Sequence, residues 1–165
     1  VFLGLVHRLD RPTGGVMVFA KTSKAASRLS AQLKDKKLKK HYLCVVNGKP
    51  QIAENQLVTY LKKDEKTNTV KIAPKLEEGS KEAILNYRVV ESKDKYSLLE
   101  VDLITGRSHQ IRVQFASRNF PLVGDHKYGS KDNIKTPMLY SCKITFPFKG
   151  QTLSFEAYPD WYEVN

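Results

Sequence analysis

The chain has 165 residues, 41% hydrophobic and 27% charged, which fits one globular core and excludes collagen, coiled coil and a disordered chain. Lysine and arginine number 28 against 17 carboxylates, a formal charge of +11. A balance that basic points to a polyanionic partner, above all nucleic acid. No apolar run nears the ~20 residues of a spanning helix, so no membrane role is expected.

In chain order, Val1–Leu5 is apolar, without a Met or a polar lead-in, so a preceding segment is expected. Gly14–Ala20 (GGVMVFA) reads as a short buried strand behind two glycines. Thr22 or Ser23 can cap a helix in which Ala25, Leu29 and Leu33 recur every four residues and face the core. Lys24 and Arg28 fall on another face, and Lys34–Lys40 adds five lysines. Tyr42–Val46 is a second buried strand, stopped by Asn47-Gly48 and Pro50.

Gln51–Ser80 is more polar, with weak strand signals at Gln56–Leu61 and Thr69–Ala73, as in a protruding hairpin. Ala83, Leu85, Tyr87 and Val89 alternate with polar neighbours, as do Leu99, Val101 and Leu103; Ser92–Lys95 links them into an antiparallel hairpin. Ser108–Ser117 reads as a helix with Ile111 and Phe115 on one face. Met138–Phe146 and Thr152–Ala157 close the sheet. The sum is an α+β domain over residues 1–165, with a mixed, mainly antiparallel central sheet and flanking helices. Cys44 and Cys142 form neither a C-x-x-C pair nor a zinc pattern; they read as core thiols of a cytoplasmic protein.

Three polar islands sit beside apolar strands: His7-Arg8-Leu9-Asp10, Lys40-His41-Tyr42 and Thr105–Gln110. Asp10 lies between Arg8 and Arg11. It reads either as a cap or surface ion pair, or as a carboxylate kept ionised in a dry site and able to act as nucleophile or base. His7 and His109 are either structural or an acid/base pair for RNA cleavage. Tyr42 is either a core aromatic or a stacking face for a base. Arg107 and Arg112 are phosphate ligands, ion-pair partners or solvated charges.

These residues resemble a family. HRLDRPTGGVMVFAKT is similar to the signature of the RluA-type RNA pseudouridine synthases, LITGRSHQIRVQFA to their second signature, and KKHYLCVVNGKP to the segment that carries a tyrosine. PLVGDHKYGS and MLYSCKITFPF also match in order and spacing. The resemblance implies uridine isomerisation in ribosomal or transfer RNA, with base flipping and without a metal or a redox cofactor. It makes Asp10 the nucleophile, Tyr42 the residue packed on the uracil and Arg107 the arginine that pairs with the aspartate. Arg8 would fill the gap left by the flipped uridine, and Ile111 would wall the pocket.

Arg8, Arg11, Lys21, Lys24, Arg28 and Lys34–Lys40 are the candidate RNA contacts, on a molecule expected to be monomeric. The chain departs from the pattern at Gly14, where a serine is commoner, and at Tyr140-Ser141, which replaces His-Ala. The family's first strands, with an Asn-Lys-Pro motif, are also missing ahead of HRLD. That last departure leaves a second reading open, a catalytically incompetent RNA-binding module of the same fold.

Overall fold

In the computed structural model, which describes residues 1–162, alternation at the hairpin sets the core. Strands β1 (Gly4–Leu5), β2 (Gly14–Gly15) and β3 (Phe19–Ala20) are short. They are followed by α1 (Ser23–Lys34), β4 (Lys39–Asn47), β5 (Glu54–Asp64), β6 (Thr69–Ile72), β7 (Lys81–Lys93) and β8 (Tyr96–Leu103). Then come α2 (Gln110–Ala116), β9 (Leu139–Phe148) and β10 (Gln151–Glu156). The main sheet runs β10-β9-β4-β8-β7-β5-β6, all antiparallel, with β2 added parallel to β9. β1 and β3 pair separately.

The predicted hairpin is β7–β8, turning at Asp94-Lys95. Its inward residues Ala83, Leu85, Leu99 and Val101 are almost completely buried. Burying each large aliphatic side chain is worth about 1.5–3 kcal/mol. Ile111 and Phe115 of α2 pack on that layer, as the periodicity predicts. Leu29 and Leu33 of α1 pack on a second cluster built around Leu38, Ile144 and Phe146. One row of cross-strand partners, Leu57, Leu85, Leu103, Lys40 and Ile144, runs from the first cluster to the second, so both helices cover the same face. The other face carries His41, Asn86, Arg88, Glu100 and Asp102 in an open polar depression. Leu43, on the Glu100 side of β4, is also buried, so this face is open and polar only in part.

Several expectations change. Gly14–Ala20 is not one buried strand: it splits into β2 and β3, Val16–Val18 are half-buried and Phe19 is exposed. The segment after Pro50 is less of a free arm than its polarity suggests, because Leu57 and Leu61 anchor β5 to β7. The second helix is shorter than predicted; Ser108 and His109 belong to the loop before it. Thr22 caps α1, its Oγ1 accepting from Ala25 N at 3.0 Å. Cys44 and Cys142 are free and buried. Among the described residues no helix is long and apolar enough to cross a membrane.

Candidate active site

Between the C-terminal end of α1 and the N-terminal end of α2, the sheet floor opens into a cleft of about 1040 Å³. Nine lysine and arginine side chains line it against one carboxylate, Asp10. The His7–Thr13 loop forms one wall. Its turn is closed by Thr13 N donating to the Asp10 carbonyl at 2.8 Å. Val18 N donates to His7 Nε2 at 3.2 Å, which fixes that ring in place. Burial and the charge of Lys40 both lower the His7 pKa, so it is neutral near pH 7. Thr13 is buried, and its hydroxyl has no hydrogen-bond partner among the described residues.

The opposite wall is Thr105–Arg112. Gln110 pins it: its Oε1 accepts from Thr105 Oγ1 at 2.7 Å and from Arg107 N at 3.0 Å, and its Nε2 donates to the Ile84 carbonyl at 3.0 Å. Arg107 is exposed, and its Nε donates to the Glu82 carbonyl at 2.7 Å. The expected pairing of Arg107 with Asp10 is therefore absent. Arg112 is the arginine beside the aspartate, with Nη1 3.7 Å from Asp10 Oδ2. The two arginines lie five positions apart in one signature, and only the second is on the inward face of α2.

Arg112 is itself held from behind. Asp125, 1% exposed, accepts from its Nε at 2.8 Å and from its Nη2 at 2.9 Å. The Tyr128 ring lies 4.9 Å from the guanidinium carbon. Burial lowers the Arg112 pKa, but hydrogen bonding and charge from Asp125, together with Asp10, outweigh it and hold the group above its usual value. Tyr128 Oη accepts from Val70 N at 3.0 Å and lies 2.6 Å from His109 Nδ1. Burial lowers the His109 pKa; Arg112 and Lys127 lower it further, against Asp10 and Asp125. His7 and His109 thus line one cleft, but each is anchored by a structural bond.

Tyr42 stands on the floor in β4, opposite Val101 and Ser141, where the β4–β9 register shifts. Burial and the charge of Asp10 push its phenol well above the ordinary range, more than Ser141 lowers it. Tyr42 therefore presents a neutral ring to the cleft. Ile111 lines the cleft as an apolar wall. Arg8 and Arg11 sit at its edge, whereas Lys21, Lys24 and Arg28 are exposed outside it. Lys34 and Lys36 reach the rim. Lys40, expected on a basic surface, is buried on the floor.

Residues 2–117 match the family described as RNA pseudouridylate synthase. The chain belongs to that family. It is 38% identical over 157 residues to Ribosomal large subunit pseudouridine synthase C of Buchnera aphidicola, covering 88% of this chain and 49% of that protein. It is 36% identical over 169 residues to Ribosomal large subunit pseudouridine synthase D of Neisseria meningitidis, covering 93% and 44%. The chain thus spans about half the length of these curated relatives. Human RNA Pseudouridylate Synthase Domain Containing 1 has the same fold, with a TM-score of 0.84 at 22% identity over 98% of this chain and 71% of that one.

Arg112 was named from sequence only as one of two candidate phosphate ligands or ion-pair partners, and Asp125 and Tyr128 were not singled out. Asp125 had a readable signal: it is a carboxylate directly behind the apolar run Phe120–Gly124.

Proposed function

We propose that this cleft isomerises uridine to pseudouridine in RNA, with ribosomal RNA as the substrate. The observation that carries the reading is the lone carboxylate, Asp10, set beside Tyr42 and Arg112 in a cleft otherwise lined by cations. Asp10 is the nucleophile. Arg112 keeps it ionised and aimed, since a nearby cation favours the carboxylate form. The reaction exchanges the C1′–N1 bond for a C1′–C5 bond; C5 gives up a proton and N1 takes one up, with no net redox change.

A uridine inside folded RNA must first be extruded, at a cost of a few kcal/mol. The cationic rim offsets that cost by binding phosphates. Arg8 and Arg11 contact the strand at the mouth, and Arg107 reaches a phosphate through its terminal nitrogens. Tyr42 stacks on the extruded uracil and Ile111 closes the pocket beside it. With its phenol held neutral, Tyr42 is a stacking face and not a phenolate base. Ribosomal RNA is favoured over transfer RNA by the similarity to the ribosomal large subunit pseudouridine synthases of Buchnera and Neisseria.

The test is incubation with unmodified transcripts of large-subunit ribosomal RNA and of transfer RNA, read by carbodiimide adducts that stop primer extension at pseudouridine. New stops are expected at one or a few uridines of the ribosomal transcript. Stops on transfer RNA alone would overturn the substrate assignment. Tight binding without any stop would favour an RNA-binding module.

A further inference from the structure

The residue that fits least with its surroundings is Lys40. In β4 the inward positions are Lys40, Tyr42, Cys44 and Val46, and Lys40 is 7% exposed. Its partners across the sheet are Leu103 on one side and Ile144 on the other, and the row continues through Leu85 to Leu57. A cation thus replaces an aliphatic residue in a core row, at the point where the two hydrophobic clusters part. Among the described residues it forms no ion pair and no hydrogen bond. Its ammonium stands against Gly106, close enough that a Cβ there would meet Nζ at 2.6 Å. The glycine leaves room for the charge.

Buried charges are normally paired, because desolvation is costly. The titratable groups that face Lys40 are the neutral His7, which it affects, and the Arg107 cation, which affects it; neither is an anion. Burial and the Arg107 charge both lower the Lys40 pKa, as expected of a cation whose counter-ion is absent. The one carboxylate among the described residues that line the cleft, Asp10, is engaged with Arg112. The missing partner is therefore an anion that arrives from outside, and one small enough to reach the floor.

We infer that Lys40, with Arg107 beside it, is a preformed anion subsite that takes a phosphate flanking the extruded uridine. The inference rests on the proposed activity and adds the atom that seats the nucleotide. A surface lysine attracts RNA without fixing its depth. An ammonium on the floor is reached only when the nucleotide has left its stack, so its binding energy accrues to the flipped state. A side chain at Gly106 would push Nζ aside from this position.

The test compares wild type with Lys40→Met on the mapped RNA substrate and on the same RNA carrying a single neutral methylphosphonate 5′ or 3′ of the target uridine. Wild-type turnover on the native RNA checks the activity itself; if it is nil, the proposed function fails, whatever Lys40 does. Given turnover, Lys40→Met is expected to raise KM about tenfold or more, the loss typical of one charged hydrogen bond. It should also reduce the slope of log binding against log salt by about 0.7, one phosphate contact on a single strand. One of the two methylphosphonates should weaken wild type as much and weaken Lys40→Met little further.

Lys40→Met should melt at a higher temperature than wild type, because an unpaired core cation becomes an apolar side chain in an apolar row. Lys40→Arg should recover part of the lost KM. Losses that simply multiply for both methylphosphonates, an unchanged salt slope, or a Lys40→Met protein that is less stable or unfolded would each overturn the inference, the last because it would make Lys40 a structural residue.

Discussion

The two walls of the cleft are built on different terms. The Thr105–Arg112 wall is anchored throughout: Gln110 holds the loop with three hydrogen bonds, and Gln110–Phe115 of α2 are all buried. The His7–Thr13 wall, which carries the proposed nucleophile, is thinly held. One turn hydrogen bond closes it and the Val18–His7 bond pins its start, but Arg8 and Arg11 are exposed and the Asp10 side chain is 26% exposed. The proposed nucleophile is thus on the looser wall, with Arg112 of the tighter wall 3.7 Å from its carboxylate. Positioning groups need supporting contacts of their own, and here Asp125 and Tyr128 supply them.

Breaking the tight wall should therefore cost more than trimming the loose one. Arg112→Ala leaves Asp125 as an unpaired buried carboxylate and should destabilise the fold by about 3–5 kcal/mol while removing the cation beside Asp10. Thermal melting and turnover should both collapse. Gln110→Ala should cost about 1–3 kcal/mol, because Thr105 Oγ1, Arg107 N and the Ile84 carbonyl lose partners. Denaturant titration measures that loss. Arg107→Ala should leave the melting temperature near that of wild type and raise KM several-fold, since the Arg107 side chain is exposed and, among the described residues, hydrogen-bonds only to the Glu82 carbonyl. If Arg107→Ala instead abolished turnover as completely as Arg112→Ala, the assignment of the two arginines would be reversed.

The smallest expected effect is a pH dependence. His7 and His109 both have lowered pKa values in the fold, while the unfolded chain titrates near 6.5. Their contribution to stability is therefore complete above about pH 6.5 and is lost as pH falls through the lower folded values. His126, raised by its bonds to the Ser130 and Ile134 carbonyls, acts in the opposite sense: its contribution is present below about pH 6.5 and is lost as pH rises through its folded value. His109→Asn keeps a residue that tolerates the φ of 52° there and removes one of the two acid-sensitive groups. Melting temperatures from pH 5 to 7 should fall less on acidification in this variant than in wild type.

How much of this was legible in the sequence depended on the kind of contact. The β7–β8 hairpin, the Thr22 cap and the inward face of α1 rest on local periodicity and capping, and all three were readable. The split of Gly14–Ala20 was not, because β2 pairs with β9 more than 120 positions away. The motifs pointed to Asp10 and Tyr42, and both line the same cleft. The choice between Arg107 and Arg112 was missed, because both fit a signature, and only the N-terminus of α2 at Gln110 decides which one turns inward. Lys40 was read only as one of the lysine run Lys34–Lys40 expected to contact RNA; counting back in twos from Val46, Cys44 and Tyr42 puts it on the buried face.

The most direct test of the account is tritium release from RNA labelled at uracil C5, with wild type and Asp10→Asn compared on unmodified ribosomal RNA. Loss of the C5 hydrogen is intrinsic to forming pseudouridine. The account predicts release by wild type and none above background by Asp10→Asn, with both proteins melting at similar temperatures. Equal release from the two would contradict Asp10 as the nucleophile, and no release from either would contradict the proposed activity of this chain.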